Sequence, residues 1–235
     1  MIDDPGEMTV VEHLTELRRR LIIVVVAIVL AAVLGFLASD VAIRVLSAPL
    51  PPHYKLYFTS PLDPFAARLK IAGFIGVALA MPVILFESWR FVTPGLTRRE
   101  RNMVWPVVVA GIGLFAVGAS VGYVILPFAL AFLLGLAGSE LSALLTIGDY
   151  IGFVGAMLLA FGIVMEFPIV LIALAKVGVL RYSTVAGHRR AIIVGIVVFA
   201  IVITPGGDPF SPTILAGVMY VLFEATLAIM RMIRP

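Results

Sequence analysis

Uninterrupted apolar runs, long enough to cross a lipid bilayer, constrain this chain more than any single motif. Leu21 to Ala38 carries no charge over 18 positions and follows Arg18, Arg19 and Arg20. A hydrocarbon core about 30 Å thick needs roughly 20 mostly apolar residues in a helix that rises about 1.5 Å per residue. The run therefore reads as a first transmembrane helix. A signal peptide would share the basic start, but its apolar region covers only roughly 7 to 15 residues. Further spans are expected at Phe65 to Phe86, with Arg68 and Lys70 near its start, at Val104 to Leu126, and at Ile151 to Ala175. Ala191 to Thr204 is short for a span, and Thr213 to Met230 contains Glu224. These last two read as a short hairpin pair.

The expected fold is all-α: a polytopic membrane protein with one integral domain over residues 1–235 and six spans, at about 21–38, 65–86, 104–126, 151–175, 191–204 and 213–230. Its residues are 62% hydrophobic and 13% charged, and its mean hydropathy of +1.14 lies far from the roughly half-apolar balance of soluble domains. Without cysteine there are no disulfides, thiolate nucleophiles or cysteine metal sites. His13, His53 and His188 are far apart, and neither H-E-x-x-H nor G-x-x-x-x-G-K-[ST] occurs. No metal, cofactor or enzymatic activity is expected.

The net charge of +3 invites a nucleic-acid reading, but the basic residues sit between the apolar runs. Under a six-span count one side receives Arg18 to Arg20, Arg90, Arg98, Arg99, Arg101, Lys176, Arg181, Arg189, Arg190, Arg231 and Arg234, which is 13 of 17 basic residues. The positive-inside rule then predicts both termini in the cytoplasm, and the Pro-rich segment from Pro49 to Pro64 outside. Phe128 to Ala137 follows Pro127, which is expected to end or bend the third span and leave an outer cap. Asp63, followed by Pro64, and Asp149 precede helical runs and suggest N-caps.

Four features carry candidate chemistry. Val10, Leu14, Leu17 and Leu21 recur at helical spacing, which predicts an interfacial cytoplasmic helix over Thr9 to Arg20. Glu16 lies off that stripe, either free to meet a partner's guanidinium or paired with Arg20 one turn on. In the loop after the second span, Glu100 stands among arginines beside Phe91 and Pro94, although Thr97 and Glu100 also have capping-box spacing. Glu166 and Glu224 lie inside apolar runs, where a carboxylate is costly unless paired or hydrated. Pro168 beside Glu166 is expected to kink the fourth span, around either a hydrated recess or a bonded helix interface. Gly118 to Gly122 reads G-A-S-V-G; inside a span this is a helix-packing motif, and its match to a nucleophile elbow is accidental.

H-L-T-E-L-R-R-R at His13 to Arg20, S-A-P-L at Ser47 to Leu50, F-V-T-P-G-L-T-R-R-E-R at Phe91 to Arg101, F-G-I-V-M-E-F-P at Phe161 to Pro168 and T-P-G-G-D-P-F-S at Thr204 to Ser211 occur in the order found in the TatC family. Over nearly its whole length the chain resembles that family, the signal-peptide receptor of the twin-arginine protein translocase. The resemblance implies a non-enzymatic receptor of the cytoplasmic (inner) membrane that binds paired-arginine signal peptides. It also implies TatA- and TatB-type single-span partners and export of folded proteins. By motif position, Glu16 and Glu100 would contact the signal's guanidinium groups and Phe91 and Pro94 would shape the site. Glu166 would line a concave membrane face, the short fifth and sixth spans would dock a partner helix, and Pro49 and Asp208 would lie in outer loops. The competing reading is a proton- or ion-coupled secondary transporter using Glu166 and Glu224.

Overall fold

Lipid requires backbone polar groups to be satisfied within the protein, and runs this long and apolar do so by closing their N–H and C=O groups inside helices. A computed structural model describes residues 10–92, 104–136, 143–176, 179–180 and 182–232. Its helices are α1 (Val10–Leu37), α2 (Ser39–Ser47), α3 (Asp63–Val92), α4 (Val104–Gly135), α5 (Ile147–Val164), α6 (Phe167–Lys176), α7 (Tyr182–Gly187), α8 (Arg189–Ile203) and α9 (Phe210–Met232). Among the described residues, five segments are long and apolar enough to cross a membrane: α1, α3, α4, α5 with α6, and α9. The chain is a polytopic helical membrane protein. α3 sits centrally, with α1 on one side and α4 and α5 on the other, and α9 packs against α8 and α6.

Three expectations require correction. The first concerns the separate interfacial helix ending at Arg20, because α1 runs unbroken for 28 residues, about 42 Å. Leu14, Leu17 and Leu21 of the apolar stripe are exposed on the bundle surface, while His13, Glu16 and Arg20 turn inward. In lipid an apolar face needs no protein partner, so the polar groups take the contact with α3.

The second is Pro127, which lies inside α4 without ending it. The turns beyond it contribute Ala129 and Leu130 to the main core, and Phe132 meets Phe210 edge-on at 5.9 Å. That packing offsets the one backbone bond the proline removes. The third is the sixth span. α8 is indeed short, at 15 residues or about 22 Å, but α9 has 23 residues, about 34 Å, and is long enough to cross. Pro212 falls in its first turn, where the amide is unbonded in any helix, so the helix begins ahead of Thr213.

Small residues set the helix spacing. A Cβ on Gly118 of α4 would lie 2.4 Å from the Phe161 carbonyl oxygen of α5, and one on Gly122 would lie 3.2 Å from Phe161 Cβ. Gly35 of α1 and Gly76 of α3 make the equivalent approach across α1 and α3. At the far end from Arg20, side chains tie the loops to the bundle. Arg68 donates to Ser39 Oγ and Asp40, Lys70 donates to the Gly148 carbonyl, and Tyr123 and Tyr150 donate to the Val45 and Leu46 carbonyls. A two-residue parallel pairing of Leu56–Tyr57 (β1) with Leu145–Thr146 (β2) joins the two long loops there. The cap of α5 falls three residues ahead of the expected aspartate, and Asp63 is the first residue of α3. Thr146 caps α5, with Asp149 accepting from its hydroxyl, and Asp63 reaches back to the amides of Thr59 and Ser60.

Candidate functional site

Antiparallel packing brings the start of α1 beside the end of α3, and each contributes a carboxylate that needs a partner. Arg20 supplies it to both. Its Nε donates to Glu16 Oε1 at 3.1 Å, its Nη2 also bonds that oxygen, and its Nη1 donates to Glu87 Oε2 at 2.8 Å. The three side chains are largely withdrawn from the surface, at 14% exposed for Arg20, 21% for Glu16 and 9% for Glu87. The i,i+4 pairing anticipated for Glu16 is therefore present, but as half of a bridge between two helices. A guanidinium suits this task because its charge is permanent and its donors fork in one plane.

One turn outward, the His13 ring stacks on Phe91 with centroids 4.4 Å apart and planes at 21°. This places Phe91 beside Glu16 at the edge of the same junction, and Arg90 stands over the Phe86 ring at 5.5 Å. Glu100 and Pro94 lie outside the described residues. Glu87 was missed in the sequence because the apolar run was closed at Phe86. The available signal was an acidic residue at the basic end of a span, the same pattern that marked Glu100.

A second candidate lies deeper. The α5 helix ends at Val164 and α6 starts at Phe167, so Pro168 interrupts the span as expected and Glu166 occupies the break. The Glu166 carbonyl accepts from Ile169 and Val170, and its own amide bonds Ile163 three residues back, a tightened turn. Glu166 is 6% exposed as a residue, and neither carboxylate oxygen, both buried, has a hydrogen-bond partner among the described residues. Gly111 makes room for it, since a Cβ there would lie 3.0 Å from Glu166 Oε2. The carboxylate borders a cavity of about 340 Å³ between α3 and α6, lined also by Met81, Leu85, Trp89, Val107 and Ile169. Glu166 thus sits in a recess and not in a bonded helix interface.

Glu224 and Asp208 have local roles. Glu224 of α9 pairs with Arg189 at the start of α8, which satisfies its charge and ties the hairpin together. Asp208 is buried and accepts from the amides of Phe210 and Ser211 at 3.1 and 2.8 Å, capping α9. The turn before it needs Gly206 and Gly207 at φ of 105° and 72°, and a Cβ on Gly206 would also strike the Phe153 ring. Pro49 is half-buried in the turn after α2.

Comparison with known proteins agrees with this architecture. A family described as Sec-independent protein translocase protein (TatC) matches residues 12–217. A Sec-independent protein translocase protein TatC from Carboxydothermus hydrogenoformans is 34% identical over 237 residues, covering 100% of this chain and 97% of the relative. One from Aquifex aeolicus is 36% identical over 226 residues, covering 94% and 93%. A crystal structure of a twin arginine translocase receptor, TatC, superposes with a TM-score of 0.78 at 36% identity, covering 94% of this chain and 99% of the other.

Proposed function

The chain belongs to the TatC family of Sec-independent protein translocase proteins, and on that premise we propose that its basic end binds the paired arginines of export signal peptides. It is a multi-pass membrane subunit of the twin-arginine translocase. In this reading it crosses the inner membrane six times with both termini in the cytoplasm, and it works with TatA- and TatB-type single-span partners to pass folded proteins.

The observation that carries the reading is the guanidinium of Arg20 held against Glu16 beside the His13–Phe91 stack. A site that already binds one guanidinium offers the geometry for another. Glu16, Phe91, Glu100 and Pro94 form the recognition site in this proposal. A tandem pair of carboxylates from two segments suits a tandem pair of forks, and lysine, a point charge, fits it less well. Glu166 belongs to a separate function on the membrane-embedded face. The transporter reading loses half of its basis, because Glu224 is committed to Arg189.

Photocrosslinking tests the proposal. A twin-arginine peptide with a reactive group next to its arginine pair is expected to label purified protein at Phe91 or the neighbouring loop, with competition from unlabelled peptide. Labelling confined to the end that carries α2 would overturn it.

A further inference from the structure

Among the described residues, the junction of α1 and α3 holds two carboxylates and one guanidinium, and that imbalance points to a ligand. Glu16 and Glu87 together carry two negative charges, and Arg20 neutralises one. Both Arg20 contacts with Glu16 use Oε1, while Oε2 is buried with no hydrogen-bond partner among the described residues. A buried carboxylate oxygen without a donor is costly, and so is an uncompensated buried charge. Arg18 and Arg19 do not relieve it, since both are exposed and neither contacts Glu16 or Glu87 in any bond among the described residues. A second cation with several donors would complete the set.

We infer that Glu87 is a further ligand-recognition residue, which together with Glu16 receives one guanidinium of the bound peptide. This rests on the reading of the basic end as a paired-arginine site and deepens it. Three observations favour Glu87 in this role. Its side chain is only 9% exposed yet lies near the end of α3, one turn before the Phe91 ring that stacks on His13. Its carboxylate already binds a guanidinium in a charge-assisted geometry, at 2.8 Å. Arg20 holds Glu16 and Glu87 on one centre, so an incoming fork meets two acceptors that are already positioned and needs no rearrangement of either helix. The incoming guanidinium adds to the cluster and does not displace Arg20, because displacement would strip a half-buried cation of both partners.

Affinities measured on the purified full-length chain with three peptides test this. One peptide carries both arginines, and the other two each have one arginine replaced by glutamine. Glu87→Gln is expected to weaken the twin-arginine peptide about tenfold, the usual size of a hydrogen bond to a charged group. The same variant should weaken one of the two single-arginine peptides by less than about twofold, because the contact is already gone in that pair. Equal weakening of all three peptides would show that Glu87 only braces α1 on α3, and unchanged affinities would exclude it from the site; either result overturns the inference alone. A wild-type protein that bound all three peptides equally would overturn the paired-arginine reading and the inference with it. Should Glu87→Gln not fold, Glu87→Asp, which keeps the charge and withdraws it by one methylene, is read in the same three-peptide comparison.

Discussion

Replacing Gly118 with alanine is the sharpest test of the packing that places Glu166. The added Cβ would lie 2.4 Å from the Phe161 carbonyl oxygen, 2.6 Å from Met165 Cγ and 2.9 Å from Gly162 Cα. Ordinary contact begins near 3.4 Å, so α4 and α5 must separate by about 1 Å at their crossing. Met165 can rotate away, but two of the three obstacles are backbone. Overpacking of this kind costs typically about 1 to 3 kcal/mol. Alanine in place of glycine in a helix returns roughly 0.5 to 1 kcal/mol, so an internal reference is needed. Gly113 on the same helix supplies it, because its Cβ would meet nothing within 4 Å. The difference between the two variants isolates the steric cost. In a thermal melt of detergent-purified protein, Gly118→Ala should melt several degrees below Gly113→Ala, at roughly 2 to 4 °C per kcal/mol for a chain of this size. Because Glu166 directly follows Met165, export should also fall in Gly118→Ala cells. Equal melting temperatures for the two variants would refute the close crossing.

Asp208→Ala removes the acceptor of two amides at the start of α9 and should cost about 1 to 2 kcal/mol, read as a lowered melting temperature, while Asp208→Asn should recover much of it. Glu166→Ala should leave insertion and melting nearly unchanged, since the carboxylate has no hydrogen-bond partner among the described residues, but should depress export of a folded reporter; normal export would assign Glu166 no role in transport. The chain has no cysteine, so single introduced cysteines report sidedness without background. A cysteine at Arg98 should be shielded from an impermeant reagent in intact cells and one at His53 should be labelled, and the reverse pattern would invert the topology.

The spans were legible because lipid makes run length and loop charge nearly sufficient: Leu21 to Ala38 and Ile151 to Ala175 read as helices with no knowledge of their neighbours. Helix packing was legible where it needed only small residues, as at Gly118 and Gly122. Prolines were ambiguous for a physical reason. Pro127 and Pro168 each remove one backbone bond, and whether the helix survives depends on what the next turn packs against, which is tertiary information. The N-terminal stripe was read as a separate interfacial helix, because its periodicity marks an apolar face but not whether the helix lies along the membrane or continues into the span. The pairing of Glu16 with Arg20 was legible from its one-turn spacing. Glu87 was not, since its pairing with Arg20 joins residues 67 positions apart and has no trace in local spacing.

The central claim is recognition of guanidinium geometry by carboxylates at the basic end, and the most direct measurement compares paired peptides on purified wild type and Glu16→Gln. Replacing both signal arginines by lysine keeps the peptide's charge but removes the planar fork, so wild type should bind the arginine peptide at least about tenfold more tightly. Glu16→Gln retains the shape and loses the charge-assisted bond, so that preference should shrink severalfold in a protein that still folds and inserts. Equal affinity of wild type for the two peptides, or an unchanged preference in Glu16→Gln, would contradict the account.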